Sequence, residues 1–187
     1  MILSDFRSAL SSEIDPDICI NSTLKLSSVL IIIYGNPPKI LMTKKSSHLK
    51  IHAGEIAFPG GKFDQSDGDL LYTALRETGE ELDIHLSRSH IIGQLEPVST
   101  LNSNFTILPF VCVVDSLPKV RPNSEVEDIL HIPAQSFLKT MCNDPDPDHN
   151  TIQEMYTFTF DGHLVWGASA RMLKQIFEKL SAKGLMV

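Results

Sequence analysis

At 187 residues the chain has room for one domain with a sizeable core and too few residues for two comfortable ones. Its 42% hydrophobic and 21% charged residues are the balance of a soluble globular protein, and a formal net charge of −7 argues against broad nucleic-acid binding, which rests on a basic face. An anionic ligand stays open, because bound metal and local lysines can reverse the potential at a site.

Met1 to Glu13 carries Ile2, Leu3, Phe6 and Leu10 at helical spacing and predicts a short amphipathic helix appended to the rest. Asp5 and the lack of a cleavage pattern argue against a signal peptide. Ile14 to Thr23, with Pro16, reads as a connector. Leu26 to Tyr34 is apolar and β-branched, a buried strand far short of the roughly 20 residues of a membrane-spanning helix. Gly35-Asn36-Pro37-Pro38 turns the chain, and Lys39 to Lys44 returns as a partner strand. Lys44 to Lys50 is a polar loop. Ile56 and Phe58 then lie on one face of a strand that turns on Pro59-Gly60-Gly61. From Leu70, the residues Leu70, Leu71, Ala74 and Leu75 mark a helix, with Ser66 or Asp67 as its N-cap.

Further on, His90 to Thr100 and Phe105 to Asp115 predict two strands joined by Leu-Asn-Ser-Asn. Pro118 to Asp128 reads as a polar loop before a helix from about Pro133 to Met141, and Asp144 to Asn150 as an exposed loop. Tyr156 to Phe160 and His163 to Trp166 pair as a hairpin across Asp161-Gly162. A last amphipathic helix packs through Ala170, Leu173, Ile176, Phe177 and Leu180. Cys19, Cys112 and Cys142 are odd in number and unpatterned, which suits reduced thiols in a cytoplasmic protein. Strands and helices mixed in this way give an α/β class.

The chemistry concentrates at Glu77, Glu80 and Glu81, which share one helix face at i, i+3 and i+4. Like charges at that spacing cost about 0.2–0.5 kcal/mol per pair. A hard divalent cation binding carboxylate oxygens would reverse the sign. A bare E-x-x-E-E is equally a solvated acidic face; launched from a strand by Pro59-Gly60-Gly61, it reads better as a metal helix.

Gly61 to Ile84 resembles the Nudix hydrolase box, G-x5-E-x7-R-E-U-x-E-E-x-G-U with U aliphatic, at Gly61, Arg76, Glu77, Glu80, Glu81 and Ile84. Thr78 replaces the aliphatic residue, Asp83 replaces the last glycine, and the loop is one residue longer, with Asp67 nearest the first glutamate. Upstream, Leu41 to Gly61 resembles the signature of the coenzyme A diphosphatase branch, L-L-T-x-R-[S/A]-x3-R-x3-G-x3-F-P-G-G. Leu41, Thr43, Ser46, Gly54, Phe58, Pro59, Gly60 and Gly61 are in register, while Met42 replaces a leucine and Lys45 and Lys50 replace arginines. The V-W-G-x-[S/T]-A at Val165 to Ala170 is similar to the same branch and makes Trp166 an anchor between the last helix and the sheet.

The resemblance implies an α/β/α sandwich around a mixed sheet, with the box helix and the last helix on opposite sides. It implies metal-dependent hydrolysis of the diphosphate of coenzyme A, or a derivative, to 3′-phospho-ADP and 4′-phosphopantetheine. Glu77 and Glu81 would hold Mg²⁺ or Mn²⁺, with Glu80 and the Gly61 carbonyl completing the cluster and Arg76 orienting the glutamates. Lys45, Lys50, Thr43, Ser46 and Gly60 would meet the substrate, and the general base stays open between Glu80 and Glu125. The rival readings are another nucleoside diphosphate derivative, such as ADP-ribose or a dinucleotide, and a non-catalytic ligand sensor. No nucleic-acid or membrane partner is expected, and a homodimer is left open.

Overall fold

The computed structural model describes residues 1–17, 25–49, 52–100, 104–144 and 155–186. Most of the connector before Lys25, Lys50, most of the Leu-Asn-Ser-Asn turn and most of the Asp144–Asn150 loop therefore lie outside the described residues. In order the elements are α1 (Leu3–Leu10), β1 (Lys25–Tyr34), β2 (Lys39–Lys45), β3 (Ile56–Ala57), β4 (Gly60–Lys62), α2 (Leu70–Leu82), β5 (Ile91–Gln94) and β6 (Val98–Ser99). There follow β7 (Phe105–Val114), β8 (Val126–Pro133), α3 (Ala134–Leu138), β9 (Cys142–Asn143), β10 (Tyr156–Phe160), β11 (His163–Val165) and α4 (Gly167–Ala182).

β1 is the axis of the mixed sheet. It runs parallel to β7 from Lys25↔Phe105 to Tyr34↔Val114, and both strands are near-continuously apolar because both faces are covered. On one face Leu30, Ile32, Leu108 and Phe110 pack under α2 through Leu70, Leu71, Ala74 and Leu82. On the other, Ile31, Ile33, Val111 and Val113 pack with residues of α1 and α4. The expected α/β/α sandwich with a mixed sheet is what forms. α1 is shorter than predicted and is no appendage: Phe6 and Leu10 are fully buried in that second core.

The other edge of β1 shapes the site. β1 and β2 pair only near their turn, from Tyr34↔Lys39 to Ile32↔Leu41, and then separate. Ile56 to Lys62 fills the opening: β3 pairs with β2 at Thr43↔Ala57, β4 pairs with β1 at Val29↔Gly60, and Leu30 N–H donates to Pro59 O at 2.9 Å.

Three expectations need correction. The strand over His90 to Thr100 is broken into β5 and β6, which pair with β7 on either side of Pro109. Pro97 and Pro109 both lack the N–H that an unbroken ladder would use. The polar loop ends before Val126, because Glu127 and Asp128 belong to β8, which runs along the outer edge of β2. Buried Leu130 and Ile132 alternate with exposed His131 and Pro133, a period-two pattern, and the helix after it shrinks to Ala134–Leu138. Trp166, 39% exposed, stands at the junction of β11 and α4, where the resemblance put it. The β10–β11 hairpin is as expected, with Asp161 and Gly162 both at positive φ (48° and 78°) in the tight turn. No helix among the described residues is long and apolar enough to cross a membrane.

Candidate active site

α2 starts at Asp69, whose side chain accepts from Tyr72 N–H at 2.8 Å, not at Ser66 or Asp67. Those two residues sit in a 3₁₀ turn capped by Asp64, and this frees Asp67 for another role. Its buried carboxylate accepts from Arg76 Nε at 2.7 Å and Nη2 at 3.0 Å, and from the Thr73 hydroxyl at 2.8 Å. Hydrogen bonds from Arg76 hold Asp67 below the usual carboxylate range, and Asp67 in turn raises the Arg76 pKa. The remaining guanidinium nitrogen, Nη1, lies 3.0 Å from Glu77 Oε1 and 3.1 Å from Glu80 Oε2. Arg76 thus ties the polar loop to two of the glutamates. Thr73 carries no motif signal, and sequence reasoning missed it.

The other departures from the box are also accommodated. Thr78 is fully buried, but its hydroxyl donates to Ala74 O at 2.7 Å, so no polar group is stranded. Asp83 closes the helix in the left-handed conformation (φ 57°) that a glycine there would adopt freely, and its carboxylate meets Arg121 and His85.

Glu77 and Glu81 face the segment that fills the space between β1 and β2, Glu77 against Gly61 of β4 and Glu81 against Lys45 at the end of β2. Burial pushes both carboxyls up, Arg76 opposes this at Glu77 and Lys45 at Glu81, and each feels Glu125 as a like charge. Gly61 lies directly against Glu77: a Cβ there would stand 2.5 Å from both carboxylate oxygens. The adjacent Gly60 has φ +153°, and a Cβ there would stand 2.2 Å from Ser28 O, so β4 can lie beside β1 only without a side chain at that point.

Glu125 reaches the cluster because the loop before β8 caps α2. Arg121 N–H donates to Leu82 O and Asn123 N–H to Glu81 O, each at 2.9 Å. Glu125 O then accepts from Ser46 N–H at 2.8 Å. The neighbouring acids are committed elsewhere. Glu127 bonds Lys44 Nζ at 2.5 Å and Ser47 N–H at 3.0 Å, which holds it down to about 2, and Asp128 accepts from Ile129 N–H. Glu80 is exposed on the rim.

Of the residues named for substrate, Lys45 is turned to Glu81, with Nζ 2.5 Å from Oε1. Thr43 is fully buried and its hydroxyl donates to Ala57 O at 3.2 Å, fastening β3 to β2. Ser46 is buried beside Glu125, and Lys50 lies outside the described residues. An open hollow of about 530 Å³ borders Arg76 and Glu80 on the outer side of α2, but Arg88 there is already paired with Asp69, and His85 meets Asp83.

A divalent cation fits these residues. Glu81 Oε2 is buried without a hydrogen-bond partner among the described residues, an open acceptor beside Glu77. Hard oxygen donors of this kind suit Mg²⁺ or Mn²⁺. Among the described residues no three acidic, His or Cys side chains are already drawn together as a cation would draw them. The glutamates are instead paired with basic side chains: Lys45 holds Glu81, and Arg76 holds Glu77 and Glu80.

An α/β/α sandwich whose glycine turn abuts a helix-borne cluster of glutamates defines a hydrolase of the Nudix type. The NUDIX domain profile matches residues 24–156. The Nudix hydrolase NudL of Yersinia pestis is 32% identical over 165 residues, covering 86% of this chain and 82% of that protein, and the Yersinia pseudotuberculosis protein matches equally. The chain belongs to the Nudix hydrolase family. The fold is shared with a MutT/nudix protein from Enterococcus faecalis (TM-score 0.61, 12% identity, 91% of this chain and 66% of that one). It is also shared with a C. elegans Ap4A hydrolase (TM-score 0.55, 15% identity, 86% and 97%). The NUDIX domain of Shewanella oneidensis NrtR complexed with ADP ribose is similar too (TM-score 0.51, 18% identity, 74% and 88%).

Proposed function

We propose that this protein is a metal-dependent diphosphatase that cleaves coenzyme A, or an acyl derivative, to 3′-phospho-ADP and 4′-phosphopantetheine. The observation that carries the reading is the register of Leu41, Thr43, Ser46, Gly54 and Phe58-Pro59-Gly60-Gly61 with the coenzyme A branch signature. Leu41 and Thr43 lie on β2 and Gly60 and Gly61 on β4, while Ser46, Gly54, Phe58 and Pro59 lie in the segments that connect these strands, beside Glu77 and Glu81.

In this mechanism Glu77, Glu81 and the Gly61 carbonyl hold Mg²⁺ or Mn²⁺, with Glu80 at the rim. The bound ion supplies charge neutralisation at the diphosphate and acidifies the attacking water. Arg76, clamped by Asp67, orients Glu77 and Glu80 and stays off the substrate. Of the two candidate bases, Glu80 and Glu125, Glu125 takes the proton of the attacking water: it acts on Glu77 and Glu81 as a like charge, whereas Glu80 is paired with Arg76. Lys45 and Lys50 neutralise substrate phosphates.

The test sets coenzyme A, 3′-dephospho-coenzyme A, ADP-ribose and a dinucleoside polyphosphate against the protein with Mg²⁺ or Mn²⁺, products separated by chromatography. The highest kcat/KM is expected for coenzyme A, released as 3′-phospho-ADP. Equal or better cleavage of ADP-ribose would overturn the substrate assignment.

A further inference from the structure

Lys45 departs from the role its place in the signature suggests. Its ammonium lies 2.5 Å from Glu81 Oε1, with the two side chains only 13% and 3% exposed. The backbone fixes that direction. Lys45 N–H donates to Glu55 O at 2.9 Å and Lys45 O accepts from Gly54 N–H at 3.1 Å, which pins the residue at the neck of the loop. Opposite β8 the register shifts between Lys44 and Lys45, a bulge that re-aims the side chain. Lys44 goes to Glu127 and Lys45 goes to Glu81. The other Glu81 oxygen, Oε2, is left buried and without a partner among the described residues.

We propose that Lys45 is a built-in counter-cation of the metal site. It holds Glu81 when no divalent ion is present, and the ion displaces it into the opening where the diphosphate enters. An ion taken up at Glu81 Oε2 stands on the same carboxylate as the ammonium on Oε1, and the repulsion between two cations that close in a shielded site outweighs the single hydrogen bond Lys45 makes. Metal binding is then an exchange, with one tethered monovalent cation leaving as the divalent one arrives. The released ammonium is delivered only when the metal is in place, so a single residue couples metal loading to recognition of phosphate. This rests on the reading that Glu77 and Glu81 hold the metal, and it is independent of which diphosphate is cut.

The experiment measures Mn²⁺ affinity by isothermal titration of metal-free protein at about pH 8, where carboxylates are ionised, with no substrate present. Lys45→Met removes the competitor, so Mn²⁺ should bind about ten- to a hundredfold more tightly, the worth of one charge-assisted hydrogen bond. Lys45→Arg keeps a competing cation and should stay close to wild type. Damage to the fold can only weaken metal binding, so tightening separates the proposal from a merely structural role. Unchanged or weaker binding in a folded Lys45→Met protein would overturn it. If that variant does not fold, amine labelling of the wild-type protein read by mass spectrometry decides instead. Lys45 should be modified faster once Mn²⁺ is added, and a rate that does not move, or falls, would overturn the exchange. Wild-type protein without saturable Mn²⁺ binding would overturn the metal reading beneath it. Failure to cleave coenzyme A would leave the exchange standing.

Discussion

Two adjacent glycines should give opposite phenotypes when each is changed to alanine. At Gly60 the added methyl would meet main chain, 2.2 Å from Ser28 O and 2.6 Å from Val29 Cα, at φ +153°. Overpacking costs about 1–3 kcal/mol and the unfavourable φ about 1–3 kcal/mol more, so a central value is about 4 kcal/mol. For a chain of this size each kcal/mol moves Tm by about 2–4 °C, and Gly60→Ala should melt about 8–16 °C lower. At Gly61 the methyl meets only the Glu77 carboxylate, 2.3 Å from its carbon, at the end of a side chain that can rotate away. An off-rotamer side chain costs about 0.5–1.5 kcal/mol, so Gly61→Ala should melt less than about 6 °C lower. Its damage should fall on chemistry, because the displaced carboxylate is the proposed metal ligand and even outer-shell partners are worth about 10–100-fold. Thermal melts of metal-free protein and Mn²⁺ titration read the two axes separately. The reasoning fails if Gly61→Ala binds Mn²⁺ and turns over as the wild type does, or if Gly60→Ala melts within about 2 °C of it.

Glu77→Gln and Glu81→Gln should each abolish most turnover at saturating metal while circular dichroism shows the fold retained; near-normal activity in both would remove the metal helix. Asp67→Asn releases Arg76 from its clamp and should cost about 2–3 kcal/mol by denaturant titration, since the carboxylate is buried and the guanidinium partly exposed. Stability of the metal-free protein should depend on pH in two opposed windows. Glu77 and Glu81, raised by burial, are better tolerated protonated, so their contribution is present below about 4.5 and lost as pH rises through their folded values. Asp67 is lowered by Arg76, so its contribution is present above about 3.8 and lost as pH falls through its folded value. Melting temperature followed across pH should peak in the acid range without metal, and Mg²⁺ should shift the optimum toward neutrality. A profile unaffected by Mg²⁺ would contradict the placement of the ion on these carboxylates.

Much of the frame was legible because its signals are local. The β-branched run of β1, the Pro59-Gly60-Gly61 turn and the spacing of Glu77, Glu80 and Glu81 each dictate structure within a few residues. β8 was not legible as a strand, because its charged start at Glu127 and Asp128 continues the polar loop and leaves only Leu130 and Ile132 to carry the alternation. The break between β5 and β6 depends on Pro97, which lies within the predicted strand and was a local signal, and on Pro109, which lies on another strand and was not. Arg76's tie to Asp67 spans an irregular loop, so spacing indicated the partner but not the Thr73 hydroxyl that completes it. Lys45 is the sharpest case. Its position in a signature suggested phosphate, whereas its orientation is set by a bulge opposite β8 and a loop neck, both tertiary features.

That neck has a consequence for how the molecule could diversify. Because backbone hydrogen bonds of Lys45 with Gly54 and Glu55 close the neck, and Ser46 and Ser47 tie its first residues to Glu125 and Glu127, the rest of the stretch can change length or composition without moving the strands that carry Gly60 and Gly61. Under the proposed function, what selects a substrate and what cuts it would then be separable inheritances. A loop transplanted into that stretch should bring its own preference to an unaltered reaction centre.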